Sequence, residues 1–396
     1  MKRVETLSDC PHRAIFDGIC AECGKFVTPD SKYIKFKGVY ILSSENSITQ
    51  IERYLIKNKK LALIVDLDKT LIDAIRFINE EESKKIIIAD QENESEYMYF
   101  NTNESILIRF RPYLQEFLEK ISPYFYMQVY TLAERSYALK VLQKIDPNGK
   151  YFNQRLLSRE DSTKNKKSIS DLLLSGQNMA VVIDDTRSVW TNKEGMTIPN
   201  LVQIKPFHFF PTIKNGRKIK NKLEIIQSAV KQSDKKSSYL KRMATVLTEI
   251  HSKYFEYNAV KTVPDIINEM KASVFKGCYL YFCSIWSDEN IEQKKLYVND
   301  AKSFGANVLK KFVPYVTHII TNNPNHDDVV EAKKYKGIYI VNYKWFVNSI
   351  FRYERQKENI PFYAVSNQLG TAPLITEGRE EKMEPPNLEN NNDLED

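Results

Sequence analysis

Apolar and polar positions follow two rhythms along this chain. Short, largely apolar runs recur at 61–66 (LALIVD, continuous up to its aspartate), 125–131 (FYMQVYT), 179–185 (MAVVIDD) and 200–205 (NLVQIK). Runs of this length without a polar face predict strands buried on both sides. Between them the apolar residues take helical spacing. RPYLQEFLEKI starts at Pro112, where a missing N–H does no harm. AERSYALKVLQKI is stopped by Asp146-Pro147-Asn148-Gly149, and KKSISDLLL reads as a third helix. Strand–helix alternation of this kind predicts an α/β fold with a doubly wound parallel sheet. A mixed, acidic stretch at 73–106 interrupts it and reads as a small hairpin inserted at the rim.

The second half changes rhythm. YLKRMATVLTEIHSKYF keeps Leu240, Met243, Leu247, Ile250 and Tyr254 on one helical face, with His251 as a packed or capping residue. A smaller α/β unit begins near Met270, with a strand in SVFKGCYLYFC, a helix running into a strand in NDAKSFGANVLKKF, a strand in THIITN and a closing helix in VNYKWFVNSIF. The expected organisation is an N-terminal arm (1–50), an α/β domain (51–215, insertion 73–106), a basic linker and helix (216–269), a small α/β domain (270–365) and a polar tail (366–396) that reads as disordered. No internal repeat is visible.

Composition adds limits. The chain has 396 residues, 42% hydrophobic and 12% aromatic, enough for more than one core. The net charge is +7, yet the tail holds eight acidic residues against two basic ones, so the body is more basic than the total suggests. A basic body suits an anionic partner, although most single lysines simply keep a face wet. No segment approaches the length of a membrane span and the start has no signal-like apolar stretch, which predicts a soluble, intracellular protein with no membrane partner. Five cysteines without a secretory signal predict thiols or a metal rather than disulfides.

The chemistry gathers where strands end. In a parallel sheet of this class, ligands bind outside the carboxyl ends of the strands. Asp66 and Asp68 leave the first run there, Thr131 leaves the second, and Asp184 with Asp185 leave the third. Aspartate is common in turns, so one such pair says little; three strands ending this way bring four carboxylates and a hydroxyl to one edge. Oxygen ligands without histidine or thiolate point to Mg²⁺, which also offsets their mutual repulsion.

D-L-D-K-T at 66–70 fits the D-x-D-x-T signature of haloacid-dehalogenase-like phosphotransferases. With IRFRPYLQEFL, VYTLAERSYALKVLQKIDPNGKYF, LLSRED, KKSISDLL, MAVVIDD and the following VW, and YLKRMATVLTEIHSKYF, the chain resembles one branch, the Fcp-type phosphatases of the RNA polymerase II carboxy-terminal domain. A region resembling a BRCT domain follows, on Gly277, Gly305-Ala306, VTHII and Trp345. The resemblance implies a Mg²⁺-dependent protein serine phosphatase of the nucleus. Asp66 would be nucleophile, Asp68 general acid and base, and Thr70 the residue orienting their loop. Asp66, the Asp68 carbonyl and Asp185 would hold Mg²⁺, supported by Asp184. Thr131 would bind a phosphate oxygen, Lys167 (or its neighbour Lys166) would neutralise phosphoryl charge, and Arg111 would secure the site or bind substrate. The family's D-D-R-x-D-V-W reads Asp184-Asp185-Thr186-Arg187-Ser188-Val189-Trp190 here, which puts the support of Asp185 in question.

Other features admit two readings. Cys10, His12, Cys20 and Cys23 suit a structural, tetrahedral Zn²⁺, or are plain thiols on an arm. Ser284 with Lys333 or Lys334 would bind phosphopeptide if the BRCT-like unit does so; alternatively this unit extends a peptide groove. Lys214, Arg217, Lys218, Lys220 and Lys222 attract an acidic substrate or line a solvated loop. The acidic tail, with Leu374, Ile375, Met383 and Leu388, would by resemblance engage TFIIF. Direct nucleic-acid binding is not expected. The competing functions are a phosphatase of nucleic-acid ends or small metabolites, and an inactive phosphopeptide-binding scaffold.

Overall fold

The apolar runs become strands, and they sort into separate sheets. The computed structural model describes residues 10, 12, 14–16, 18–20, 23–29, 33–36, 39–42, 54–90, 96–101, 105–153, 155–162, 166–169, 177–192, 194–211, 222–231, 237–256, 261–285, 291–365 and 374–377. The chain divides into two compact units, Met1–Ile267 and Asn268–Asp396. The first begins with a four-stranded antiparallel sheet of β1 (Ala14–Phe16), β2 (Ile19–Cys20), β3 (Tyr33–Phe36) and β4 (Val39–Leu42), in the order β2-β1-β4-β3.

The five residues of β5 (Leu61–Val65) are all buried, as an unbroken apolar run requires of a central strand. It pairs in parallel with β9 (Phe125–Tyr130) on one side and β11 (Ala180–Asp184) on the other. With β10 (Leu156–Leu157) and β12 (Leu201–Gln203) outside them, the sheet runs β10-β9-β5-β11-β12, parallel throughout. Helix Leu114–Ile121 buries Leu114, Phe117, Leu118 and Ile121, and helix Arg135–Ile145 buries Tyr137, Ala138, Val141, Leu142 and Ile145. Helix Tyr239–Glu256 packs on Leu114–Ile121 within the same unit, and His251 hydrogen-bonds the Lys59 carbonyl at 2.7 Å. Shared strand direction places the ends of β5, β9 and β11 on one edge.

The insertion is larger than a hairpin. β6 (Ile72–Arg76), β7 (Tyr97–Asn101) and β8 (Ser105–Phe110) form an antiparallel sheet of order β6-β8-β7, with helix Glu80–Asp90 between β6 and β7. Ile75, Ile78, Ile86, Tyr97 and Leu107 bury one another together with Phe209, Phe210 and Ile226 from far along the chain. That distant apolar supply is why a local reading underestimated the element. KKSISDLLL is described only at its start, and its remainder, like Lys214, Arg217, Lys218 and Lys220, lies outside the described residues.

In the second unit β13 (Tyr279–Cys283), β14 (Asn307–Leu309), β15 (His318–Thr321) and β16 (Lys336–Val341) form a parallel sheet, ordered β14-β13-β15-β16. Trp345, on helix Tyr343–Arg352, is fully buried; its ring stacks on His318 at 4.7 Å between centroids. Gly305 has φ 88°, and a Cβ there would lie 2.0 Å from the Ala272 carbonyl oxygen, so only glycine fits. The tail departs from a wholly disordered segment: β17 (Leu374–Glu377) adds antiparallel to β16, covering what would otherwise be a sheet edge. Met383, Leu388 and the rest beyond Glu377 lie outside the described residues. No described helix is long and apolar enough to cross a membrane.

Candidate active site

The loop after β5 is a tight turn. Leu67 is fully buried, and its carbonyl accepts the N–H groups of Thr70, Leu71 and Ile72 at 2.8–3.2 Å. Lys69 takes φ 61° to close the turn. Anchoring Leu67 sends Asp66 and Asp68 in different directions. Lys69 ion-pairs with the buried Asp73, whose other oxygen accepts Phe209 N–H at 2.7 Å and Phe210 N–H at 2.9 Å. The lysine inside the motif therefore fastens the loop to its surroundings.

Asp66, Asp184 and Asp185 meet where β5 and β11 end, each offering a carboxylate oxygen within 4.8 Å of the others'. Lys167 enters from 101 residues away and bridges two of them, 2.7 Å from Asp66 Oδ1 and 2.6 Å from Asp184 Oδ2. Asp184 Oδ2 also accepts Trp190 Nε1–H at 2.8 Å, and its Oδ1 accepts the Thr186 N–H at 2.8 Å. Burial pushes Asp66 up to about 8; Lys167 opposes the rise, while Asp184 and Asp68 add to it. Burial, and then Asp184, push Asp185 up to about 6. For Lys167 burial acts to lower the ammonium pKa, but Asp66 and Asp184 outweigh it and raise it. The carboxylates are thus short of positive charge even with the lysine in place. A divalent cation among these oxygen donors would correct that, and a hard donor set without sulfur or imidazole fits Mg²⁺.

Asp68 stands apart from that cluster. Tyr137, the third residue of helix Arg135–Ile145, donates its hydroxyl to Asp68 Oδ1 at 2.8 Å. Burial raises the Asp68 pKa, with the Tyr137 hydrogen bond opposing. A carboxyl group held in place with a raised pKa suits proton transfer. Sequence reasoning missed Tyr137, because on a helix that buries Ala138, Val141 and Leu142 an aromatic residue reads as core.

The remaining side chains divide into those facing the site and those bracing it. Thr131, fully buried after β9, accepts the Ala133 N–H at 3.1 Å, so its hydroxyl hydrogen can be given to an anion. Thr70 Oγ1 lies 3.5 Å from Asp185 Oδ1 and accepts the Asp185 N–H at 3.3 Å. Lys166 turns away and donates to the Ser188 carbonyl at 2.5 Å, leaving Lys167 as the lysine of the cluster. Arg111, expected either to secure the site or to bind substrate, makes bracing contacts. Its two terminal nitrogens donate to the carbonyls of Thr70 at 2.9 Å and Lys205 at 2.8 Å, and its guanidinium covers the Tyr239 ring at 4.4 Å. It ties the motif loop to the chain beyond β12.

The altered segment after Asp184 keeps its own supports. Thr186 Oγ1 donates to Asp185 Oδ2 at 3.2 Å. Arg187 reaches Gln203 on β12 at 3.0 Å, and Gln203 donates to the Asp185 carbonyl at 3.0 Å. Asp185 is therefore held by Thr70, Thr186 and Gln203 without a later aspartate.

Elsewhere, the structure brings Cys10, His12, Cys20 and Cys23 together within 4.8 Å. In the second unit Ser284 follows β13 with φ 50°, and Lys333 closes helix Asp327–Ala332. The groups gathered beside Cys283 are His326 and Asp328. His326 Nδ1 already accepts the Asp328 N–H at 3.2 Å, and Asp328 accepts the Tyr281 hydroxyl at 2.6 Å. A carboxylate next to the strand end gives phosphate recognition by Ser284 and Lys333 no support.

Among known proteins, residues 61–238 match the family described as NLI interacting factor-like phosphatase, and residues 270–350 match the BRCA1 C Terminus (BRCT) domain. The chain is 28% identical to a phosphatase of the RNA polymerase II C-terminal domain from Caenorhabditis elegans over 90% of its length, and spans 56% of that relative. It is 25% identical to the corresponding C-terminal domain phosphatase of Saccharomyces cerevisiae, over 88% of this chain and 65% of the relative. The solved structure of Fcp1, an essential RNA polymerase II CTD phosphatase, superimposes with a TM-score of 0.64 at 27% identity, covering 81% of this chain and 99% of the other.

Proposed function

Residues 61–238 form an NLI interacting factor-like phosphatase domain and residues 270–350 a BRCT domain, and from this premise we propose a nuclear, Mg²⁺-dependent protein serine phosphatase acting on the phosphorylated heptad-repeat tail of RNA polymerase II. The observation that carries the reading is the junction of Asp66, Asp184 and Asp185 around Lys167, with Asp68 held separately by Tyr137. The names of the C. elegans and S. cerevisiae relatives support the substrate class.

In this mechanism a carboxylate oxygen of Asp66 attacks phosphorus and the serine oxygen leaves, giving an aspartyl-phosphate. Asp68 delivers its proton to the departing serine oxygen, then takes one from the water that attacks the aspartyl-phosphate, restoring both residues. Lys167 and the Thr131 hydroxyl neutralise charge on the phosphoryl oxygens, where this chemistry needs electrostatic help most. Asp66, Asp185 and the Asp68 carbonyl would hold Mg²⁺, with Asp184 positioning Lys167; the ion supplies charge stabilisation to the transferring group. Thr70 and Arg111 keep the loop in register. TFIIF recruitment through the acidic tail belongs to the same reading, and is tested by comparing TFIIF capture by the full chain and by one ending at residue 377.

The test is phosphate release from a phosphoserine heptad peptide, with and without Mg²⁺, beside a phosphorylated metabolite and a nucleic-acid 3′-phosphate. Mg²⁺-dependent release from the peptide is the expected result. Release only from the other two substrates would replace the proposed substrate class. Peptide binding without release from any substrate would favour a scaffold.

A further inference from the structure

The four N-terminal ligand residues take no part in the phosphatase chemistry, and their arrangement is that of a metal knuckle. We propose that Cys10, His12, Cys20 and Cys23 bind one structural Zn²⁺ ion that closes the N-terminal sheet.

The distances carry the argument. Cys10 Sγ lies 3.7 Å from Cys20 Sγ, and Cys23 Sγ lies 3.4 Å from His12 Nδ1. A disulfide requires sulfurs about 2 Å apart, so the Cys10–Cys20 contact is not one, and none of the three cysteines is in a disulfide. A tetrahedron with Zn–S bonds of about 2.3 Å and a Zn–N bond of about 2.1 Å has S–S edges of about 3.8 Å and S–N edges of about 3.6 Å. Two edges of the set, one of each kind, thus have the lengths of a tetrahedral zinc site. Three thiolates and one imidazole fill all four positions, leaving none for substrate, which defines a structural rather than a catalytic site.

Local backbone explains the convergence. Cys20 ends β2, and the turn after it brings the Gly24 N–H to the Cys20 carbonyl at 2.9 Å and the Cys20 N–H to the Lys25 carbonyl at 2.8 Å. Gly24, directly after Cys23, has φ 71°, a conformation glycine adopts freely. His12, at φ 48°, turns the chain just before β1. One ion would therefore tie the approach to β1 to the turn after β2. β2 has only two residues, and metal–ligand bonds would add hold where its ladder is shortest.

The experiment measures metal in the full chain, purified without chelator or added metal. One zinc per chain is expected, retained in Asp66→Asn and lost in the double variant Cys20→Ser/Cys23→Ser. Should that variant fail to fold, His12→Cys decides. It should keep one metal, and the cobalt-substituted protein should change its tetrahedral ligand-field bands while retaining thiolate charge transfer. Absence of zinc from the native chain would overturn the proposal. So would zinc that persists without Cys20 and Cys23, zinc that leaves with Asp66→Asn, or a cobalt spectrum lacking thiolate bands.

Discussion

Two parallel sheets in this molecule end their strands in polar residues, and they use them differently. In the first unit, the edge beyond β5, β9 and β11 carries Asp66, Thr131, Asp184 and Asp185, with Lys167 brought in between. In the second unit the corresponding residues cap and close. Asn342 accepts the Lys344 N–H at 2.9 Å at its helix start and donates to the carbonyls of Phe362 and Ala364. Thr321 accepts the Asn323 N–H at 3.0 Å, and His326 caps the helix at Asp327. One architecture thus supports two outcomes. Where polar groups satisfy the backbone, the edge stabilises the fold. Where carboxylates are gathered and left short of positive charge, it suits the phosphoryl transfer and the metal ion proposed above.

Substitutions should separate the two edges. Asp66→Asn removes the proposed nucleophile and should lower phosphate release by about 10³-fold or more, with the melting curve little changed. Lys167→Met should cost about 10²–10³-fold, as expected for a charge aimed at the transferring group; an unchanged rate would return Lys167 to a purely structural role. At the other edge, Trp345→Ala should destabilise the second unit by about 3–5 kcal/mol in denaturant titration, while the folded fraction keeps its turnover rate. Tyr137→Phe should slow turnover on the order of ten-fold by releasing Asp68, with substrate affinity retained.

The smallest effect expected is on pH dependence. His318 lies between the rings of Trp345 and Tyr339, with Nε2 3.2 Å from Glu358 and 3.3 Å from Arg355. Burial lowers its pKa, so the folded unit prefers neutral imidazole. Its contribution to stability is complete above the ordinary histidine value of about 6.5 and is lost as pH falls below it. Burial acts to raise the Glu358 pKa, but the bonds from His318, the backbone and Arg355 outweigh it and hold the carboxyl at about 2. That contribution is complete above about 4.3 and is lost as pH falls toward 2. Between pH 5 and pH 7 only His318 contributes: the second unit should melt at lower temperature at pH 5 than at pH 7, and His318→Gln should flatten that difference, whereas Glu358 adds to the loss only below about pH 4.3.

What the chain declares about itself follows from how local each signal is. β5 and β11 are readable because each is an unbroken apolar run up to its aspartate, β9 because it is largely apolar, and the polar residues that follow them are readable because sheet topology fixes where such strands end. Helix Glu80–Asp90 is hard to see: it buries Ser83, Ile86 and Asp90, two of them polar, and leaves Ile88 exposed. Lys166 and Lys167 cannot be told apart from their neighbours, since the choice depends on a carboxylate 101 residues away. Arg111 admits two readings, securing the site or binding substrate, and its two backbone carbonyl partners favour the first. Tyr137 has no signal of its own, because the carboxylate that gives it a role lies outside its helix.

The most direct measurement is a rapid acid quench of the native chain during turnover of a peptide with a radiolabelled phosphoserine, since loss of Asp68 would slow formation of the aspartyl-phosphate as well as its hydrolysis. The account predicts label on the protein, confined to the peptide containing Asp66 and absent from Asp66→Asn. Phosphate release with no labelled protein, or label mapping to Asp184 or Asp185, would contradict it.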